Sequence, residues 1–348
     1  MRPSGPIRDH PFVNTLDQWV EGVPVDCGRD WTNEAIRAAM DKGPHKSATS
    51  AASIELVAEE VNYQVKAGFC EIITWSSIAN NPPRNLKISP LACIPQTNRR
   101  DRLILDLSFP VYRPQAGRKR KSTAEILQPS VNDSTTSLSP KPPVQELGKV
   151  LPRIFDFMAA VPPHESIMFS KIDLSDGFWR MRVSASDRWN FAYVLPQPPG
   201  EPLRLVIPSA LQMGWTESPG YFCAATETTR DVIQVLLSNN VDMEAHPFEK
   251  FMTPARPAKR QRLGATEWQM TGVFVDDFCL GAVENATGSL LRRISRAALH
   301  SIHATFPAPE VSGHTGGKDS ISLKKLEKGD ARWATSKELL GFLVDGDR

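Results

Sequence analysis

The sequence predicts an α+β fold, a small antiparallel sheet backed by helices, on three observations. Apolar runs of strand length come in pairs around turn residues: 270–275 and 278–283 flank Asp276 and Asp277, while 191–195 and 203–207 flank the turn-rich stretch 196–200. Helical spacing marks other segments, with Ile54, Val57, Val61 and Val65 on one face, and Leu290, Leu291, Ile294, Ala298 and Ile302 on another. The two kinds of segment do not alternate as strand–helix–strand units, which argues for antiparallel rather than parallel pairing.

Taken in order, residues 1–46 are polar with scattered Pro and Gly and read as a loosely ordered N-terminal extension. A helix follows from Ser50, with Gly68 as its terminator. Residues 69–75 lean towards strand, 80–84 form a turn, and the runs 91–94 and 103–107 pair through a polar link at 96–102. Residues 113–145 are poor in apolar side chains and rich in Ser, Thr, Pro, Lys and Arg, the composition of a disordered basic insertion. Helices are expected over 144–160, 218–237 (opened by Ser218-Pro219) and 288–306. A strand is expected over 167–174, a polar basic loop over 242–267, and a short strand over 337–344.

The chain has 348 residues, enough for a sizeable core or two to three packed subdomains. No stretch approaches 18 consecutive apolar residues, and residues 1–10 lack the apolar run of a secretory signal. Cys27, Cys70, Cys93, Cys223 and Cys279 form no C-x-x-C pair, so reduced thiols in the cytosol or nucleus are the simplest reading. The net charge is only +2, but the positive charge is clustered. Arg99, Arg100 and Arg102 form one group, Arg118-Lys119-Arg120-Lys121 a second, and Lys259, Arg260 and Arg262 a third. Each alone reads as a solvated loop, and the second also has the form of a weak nuclear-import signal; together they point to a polyanionic partner.

Two segments carry unusual charge. Asp276 and Asp277 interrupt an apolar run, where burying two carboxylates costs several kcal/mol or more without compensation. A hairpin turn brings both to one sheet edge, and hard carboxylate oxygens suit Mg²⁺. Taken alone, the pair reads more readily as an exposed Asp-Asp turn. Asp173 ends the apolar run 167–173, which fits either a ligand or a turn cap beside Ser175 and Asp176. His300 and His303 have helical spacing but no third ligand in view, and read as surface decoration.

In this order the segments resemble the polymerase motifs of reverse transcriptases, the RNA-directed DNA polymerases. Phe178 lies five residues after Asp173, and Phe274-Val275-Asp276-Asp277 matches the aromatic-x-D-D hairpin. Between them, residues 210–219 resemble the family's L-P-Q-G-x-x-x-S-P segment, with Gln212 where Pro is usual and Met213 where Gln or Phe is usual. Arg102 to Asp106 resembles the fingers motif, and Leu339-Leu340-Gly341-Phe342 the F-L-G motif before the thumb. The motif wording is closest to retrotransposon enzymes of eukaryotic microbes.

The resemblance implies a right-hand polymerase of fingers and palm, with the thumb largely absent. Residues 47–165 would form the fingers and 166–345 the palm, with 188–210 as a fingers hairpin. It implies addition of deoxynucleotides from their triphosphates to a primer on an RNA or DNA template, by two-metal phosphoryl transfer. Two Mg²⁺ ions, or Mn²⁺ in their place, would be held by the catalytic residues Asp173, Asp276 and Asp277 and the main-chain carbonyl of Leu174. Arg102, Asp176, Phe178, Met213 and Gly214 would bind the nucleotide, with Phe178 as a steric gate against the ribose 2′-hydroxyl and Arg102 on the triphosphate. Arg99, Arg100, Gln212 and Gly341 would contact template or primer, with Gln96 able to share the triphosphate role. Lys324 or Lys325 would give a proton to pyrophosphate. No membrane partner is expected, while other domains of a polyprotein are. Two alternatives stand beside this: an RNA-dependent RNA polymerase, against which Val275 and Phe178 speak, and a catalytically silent retroelement fragment that only binds nucleic acid.

Overall fold

The computed structural model describes residues 16, 20–97, 100–113, 125–312 and 316–347. Its helices are α1 (Asn33–Lys42), α2 (Ala51–Lys66), α3 (Pro142–Glu146), α4 (Val150–Ala160), α5 (Ser218–Ser238), α6 (Leu290–Thr305), α7 (Pro309–Ser312) and α8 (Leu323–Glu327). Its strands are β1 (Cys70–Thr74), β2 (Leu91–Ile94), β3 (Arg102–Leu105), β4 (Val111–Tyr112), β5 (Ile126–Gln128), β6 (Met168–Asp173), β7 (Tyr193–Val194), β8 (Arg204–Pro208), β9 (Gln269–Phe274), β10 (Asp277–Ala282), β11 (Ser336–Leu339) and β12 (Phe342–Asp345). Every strand ladder is antiparallel, in the orders β6-β10-β9, β1-β8-β7, β2-β3, β4-β5 and β11-β12. The α+β expectation holds at this level.

The β6-β10-β9 sheet is covered on both faces, which explains its nearly continuous apolar strands. Met168, Ile172, Val273, Phe278, Leu280 and Ala282 point into a core shared with α5 and α6. Strand alternation sends Phe169 and Cys279 the other way, against Val150, Ile154 and Phe157 of α4. On that second face Gly281 lets Met270, Phe157 and Phe169 close over the sheet: a Cβ there would lie 2.9 to 3.3 Å from their side-chain atoms. The apolar cover thins towards the Asp173 end, where the same face carries Lys171, Asp173 and Asp277.

The free edge of β6 is closed by the C-terminal part of the chain. Phe169 and Ala334 exchange backbone hydrogen bonds, Lys171 donates to the Asp330 carbonyl, and Ser175 donates to that of Ser320. The strand bearing Asp173 is therefore held from both sides.

Composition misleads in several places. Residues 20–46 are not loosely ordered: Thr32 caps α1 through the Ala35 N–H, and Trp31, Ala35, Ile36, Ala38 and Ala39 enter a core with β8. Val23, Val25 and Cys27 join the main core. In the supposed disordered insertion, residues 114–124, including the basic run at 118–121, lie outside the described residues, but 125–145 contain β5, α3 and the buried Val131. Its Ser and Asp side chains bond within a turn, with Ser130 Oγ donating to Asp133, so polarity there serves local order. The expected helix over 144–160 breaks into α3 and α4, because Pro152 fits only the first turn of a helix. The closing strand is a hairpin, since Leu340 and Gly341 both take positive φ (51° and 82°) and reverse the chain. The 188–210 hairpin forms as expected, with β8 also pairing along β1. The 242–267 stretch contains no strand or α-helix. All five cysteines are buried and free, and among the described residues no helix is long and apolar enough to cross a membrane.

Candidate active site

Asp173 and Asp277 are register partners across β6 and β10, and Asp276 occupies the two-residue turn before Asp277. Val275 adopts φ 56° in that turn, a left-handed conformation that β-branched residues rarely take. The Leu174 N–H donates to the Asp276 carbonyl at 3.0 Å, and the Ser322 N–H to the Asp173 carbonyl at 2.9 Å. These bonds tie the turn to the end of β6.

The charge at this end is not left bare. Lys171, two residues before Asp173 and hence on the same strand face, places its Nζ 3.5 Å from Asp173 Oδ1 and 3.8 Å from Asp277 Oδ1. Lys325 Nζ is 3.6 Å from the same Asp173 oxygen and 3.4 Å from Asp330 Oδ2. Asp173 Oδ2 is buried with no hydrogen-bond partner. Loss of hydration pushes the Asp277 carboxyl up to about 7, with Asp173 as the second cause. The same two causes raise Asp276, whose exposure at the turn lets water screen the effect. Burial works against the charge on Lys171, but Asp277, Asp173 and Asp330 outweigh it and hold the ammonium above the ordinary lysine range.

Do these residues fit a divalent cation? Asp173 and Asp277 face each other at one strand end with Asp276 in the adjoining turn, and carboxylate oxygens are the donor type a hard ion takes. As the side chains stand, however, no three His, Cys, Asp or Glu groups among the described residues converge as a metal site. Lysine ammonium groups lie near the anionic oxygens instead.

A second group adjoins the turn. Asp176 has φ 57°, and its carboxylate accepts the Tyr63 hydroxyl at 2.5 Å and faces Arg180 at 3.9 Å. Burial pushes the Tyr63 phenol well up, so it stays a donor. Phe178 packs its ring 4.9 Å from that of Phe222 on α5. At Gly177, between Asp176 and Phe178, a Cβ would meet Phe222 at 3.4 Å and Asp276 Cβ at 3.9 Å, so this loop lies against the Asp-Asp turn.

A third group gathers around β3. The Arg102 guanidinium contacts Met213 Sδ, and Gly214 (φ 98°) lies against the Leu105 carbonyl. Asn132 staples this turn, donating to the Gly214 carbonyl at 2.9 Å and accepting from the Thr216 N–H at 3.2 Å. The expected nucleotide-binding residues Arg102, Met213 and Gly214 therefore adjoin one another, with Met213 exposed.

Other expectations fare differently. Gln212 is 3% exposed and folds its amide back onto the Ala210 carbonyl, so its side chain is not presented to a template. Its neighbours Ala210 and Leu211 belong to the core, and the Ser218 hydroxyl closes over its carbonyl. Arg100 is exposed and pairs with Glu59 at 2.7 Å and Glu60 at 3.7 Å. Arg99 lies outside the described residues, Gly341 forms the β11–β12 turn, Gln96 is exposed, and of the two lysines Lys325 reaches the carboxylates.

His300 and His303 are more than surface decoration. His246 Nδ1 accepts the Phe248 N–H, so its Nε2 carries the hydrogen and donates to His303 Nδ1 at 3.0 Å. His303 Nε2 then donates to Asp319 at 2.9 Å, and the His300 ring lies 4.9 Å from that of His246. Sequence spacing showed only two of these three rings, because His246 comes from a distant loop.

Sequence reasoning also passed over Tyr63 and Lys171. Tyr63 had no local signal. Lys171 had one: a lysine two residues before Asp173, in a run otherwise fit for a buried strand. No family model matches this chain, and neither does any curated protein.

Proposed function

We propose that the chain is the core of an RNA-directed DNA polymerase that extends a primer by two-metal nucleotidyl transfer. In this reading the β6-β10-β9 sheet with α5 and α6 is the palm, and the β1-β8-β7 and β2-β3 sheets belong to the fingers. One observation carries the reading: Asp173 and Asp277 face each other in register, with Asp276 in the adjoining turn and a buried, unpartnered Asp173 oxygen. Facing carboxylates at a strand end are the kind of oxygen donors a hard cation takes.

Asp173, Asp276 and Asp277, with the Leu174 carbonyl, would hold two Mg²⁺ ions, which when bound lower the pKa of the primer hydroxyl and neutralise the leaving pyrophosphate. The protein's own contributions follow from its side chains. Arg102, backed by Met213 and beside the Gly214 turn, offers a forked guanidinium to a triphosphate. Phe178, braced by Phe222, presents a flat ring beside the Asp-Asp turn and so excludes a 2′-hydroxyl. Lys325 holds a proton at Nζ near Asp173, where a leaving phosphate would take it up.

The test is primer extension. Purified protein is incubated with Mg²⁺, a primed RNA template and labelled deoxynucleotides, beside an Asp276→Ala control. Extension by the wild type and none by the variant is expected. No extension by either overturns the reading, and preferential ribonucleotide addition assigns the chain to the RNA-dependent RNA polymerases instead.

A further inference from the structure

We infer that Lys171 is a built-in counter-cation of the candidate metal site, a positioning residue whose ammonium competes with divalent metal for the Asp173–Asp277 pair. The inference rests on the reading of these aspartates as metal ligands and goes beyond it by assigning a role to a residue outside the ligand set.

The sheet geometry dictates the arrangement. Asp277 pairs with Asp173, and Cys279 pairs with Lys171, so on one sheet face Lys171 lies behind one carboxylate and diagonal to the other. A lysine on this face is costly. Its side chain is 15% exposed, and its strand neighbours on that face, Phe169 and Cys279, are fully buried. An apolar residue would pack there without that cost. The two ion pairs, at 3.5 and 3.8 Å, are longer than charge-assisted hydrogen bonds of about 2.7–2.9 Å. The ammonium thus bridges both carboxylates without being committed to either.

The physical consequence is an exchange of cations. Without metal, two facing carboxylates would repel, and Lys171 offsets that repulsion. When a divalent ion binds the same oxygens, the ammonium on its flexible stem must give way, which weakens metal binding and keeps it reversible. Lys325 is the less suitable group for this role, since it shares its charge with Asp330 and is 44% exposed.

The experiment measures Mn²⁺ binding to the full chain by the electron paramagnetic resonance signal of the free ion, and metal-free melting in EDTA. The proteins compared are the wild type, K171M, K171R and D276N. Lys171→Met is expected to bind Mn²⁺ at least tenfold tighter and to melt lower than the wild type in EDTA, with Mn²⁺ closing that gap. Lys171→Arg, which keeps the charge, is expected to stay within threefold of the wild type. Equal or weaker Mn²⁺ binding by K171M overturns the inference. Should K171M not fold, K171Q, which also removes the charge, is put through the same two measurements and the same ordering against the wild type is required. If D276N binds Mn²⁺ as the wild type does, the reading of the aspartates as metal ligands fails; if D276N loses binding while K171M matches the wild type, only the counter-cation role fails.

Discussion

Asp173 and Asp277 stand directly opposite each other across the β6–β10 ladder, two carboxylates on one sheet face. Like charges in that position are destabilising unless one is neutralised. The folded chain holds the Asp277 carboxyl at about 7, above its unfolded value, so its stabilising contribution is complete in acid and is lost as pH rises through 7. Asp277→Asn removes the titration. In EDTA at pH 8 the variant is expected to be more stable than the wild type by about 1–3 kcal/mol, with the difference nearly gone at pH 4. Thermal unfolding at the two pH values checks this, and a pH-independent difference would sink it.

His246 works in the opposite sense. Its burial, with His303 and His300 beside it, pushes the imidazole down to about 4. A group with a depressed value stabilises fully above its unfolded pKa of about 6.5, and that stability is lost as pH falls towards 4. The wild type should therefore lose on the order of 2 kcal/mol between pH 7 and pH 4 from this site, and His246→Gln should flatten that limb. Urea midpoints across the range decide the matter; an unchanged slope in the variant counts against it.

The Tyr63 hydroxyl joins α2 to Asp176, and the Lys318 N–H donates to that same hydroxyl at 3.3 Å. Tyr63→Phe strands both partners. A loss of about 1–2 kcal/mol is expected from chemical denaturation at neutral pH. Arg180 remains beside Asp176 in the variant and should keep the loss from growing further.

Phe178 packs its ring 4.9 Å from that of Phe222 and is not fully buried. Shortening it to Val opens space beside Phe222 and the Asp-Asp turn. Under the proposed function, discrimination between deoxy- and ribonucleotides, measured as the ratio of kcat/KM values, should fall by at least about tenfold. An unchanged ratio would remove Phe178 from the gate.

Gly281 tests the sheet itself. An added methyl would press on Met270 Cγ at 2.9 Å and Phe157 Cε1 at 3.0 Å. Gly281→Ala is expected to destabilise by roughly 1–3 kcal/mol through overpacking, as read from its denaturation midpoint. A neutral outcome would mean that α4 does not close on this face of β10.

Apolar spacing and apolar runs located α2, α5, α6, β2, β6, β9 and β10 to within a residue or two: α2 and α6 bury one regular face, while β6, β9 and β10 are covered on both. The Asp173 and Asp276-Asp277 segments were legible for the same reason: a charge ending an apolar strand stands out from its surroundings. Segments where polarity serves local structure were not legible. The turn at Ser130 and Asp133 and the capped helix α1 look like loop by composition, yet α1 buries Ala35, Ile36, Ala38 and Ala39 against Leu205 and Ile207, far along the chain.

The sequence by itself determined the strand and helix faces, the order of the charged motifs and the identity of the three aspartates. Only the tertiary structure decided which groups meet. It set Asp173 against Asp277, placed Lys171 and Lys325 beside them, turned Gln212 inward, and brought His246 to His303 across 57 residues of chain. The reason is physical: periodicity records which way a side chain points relative to its own strand or helix, whereas register, edge closure and charge pairing depend on what lies opposite.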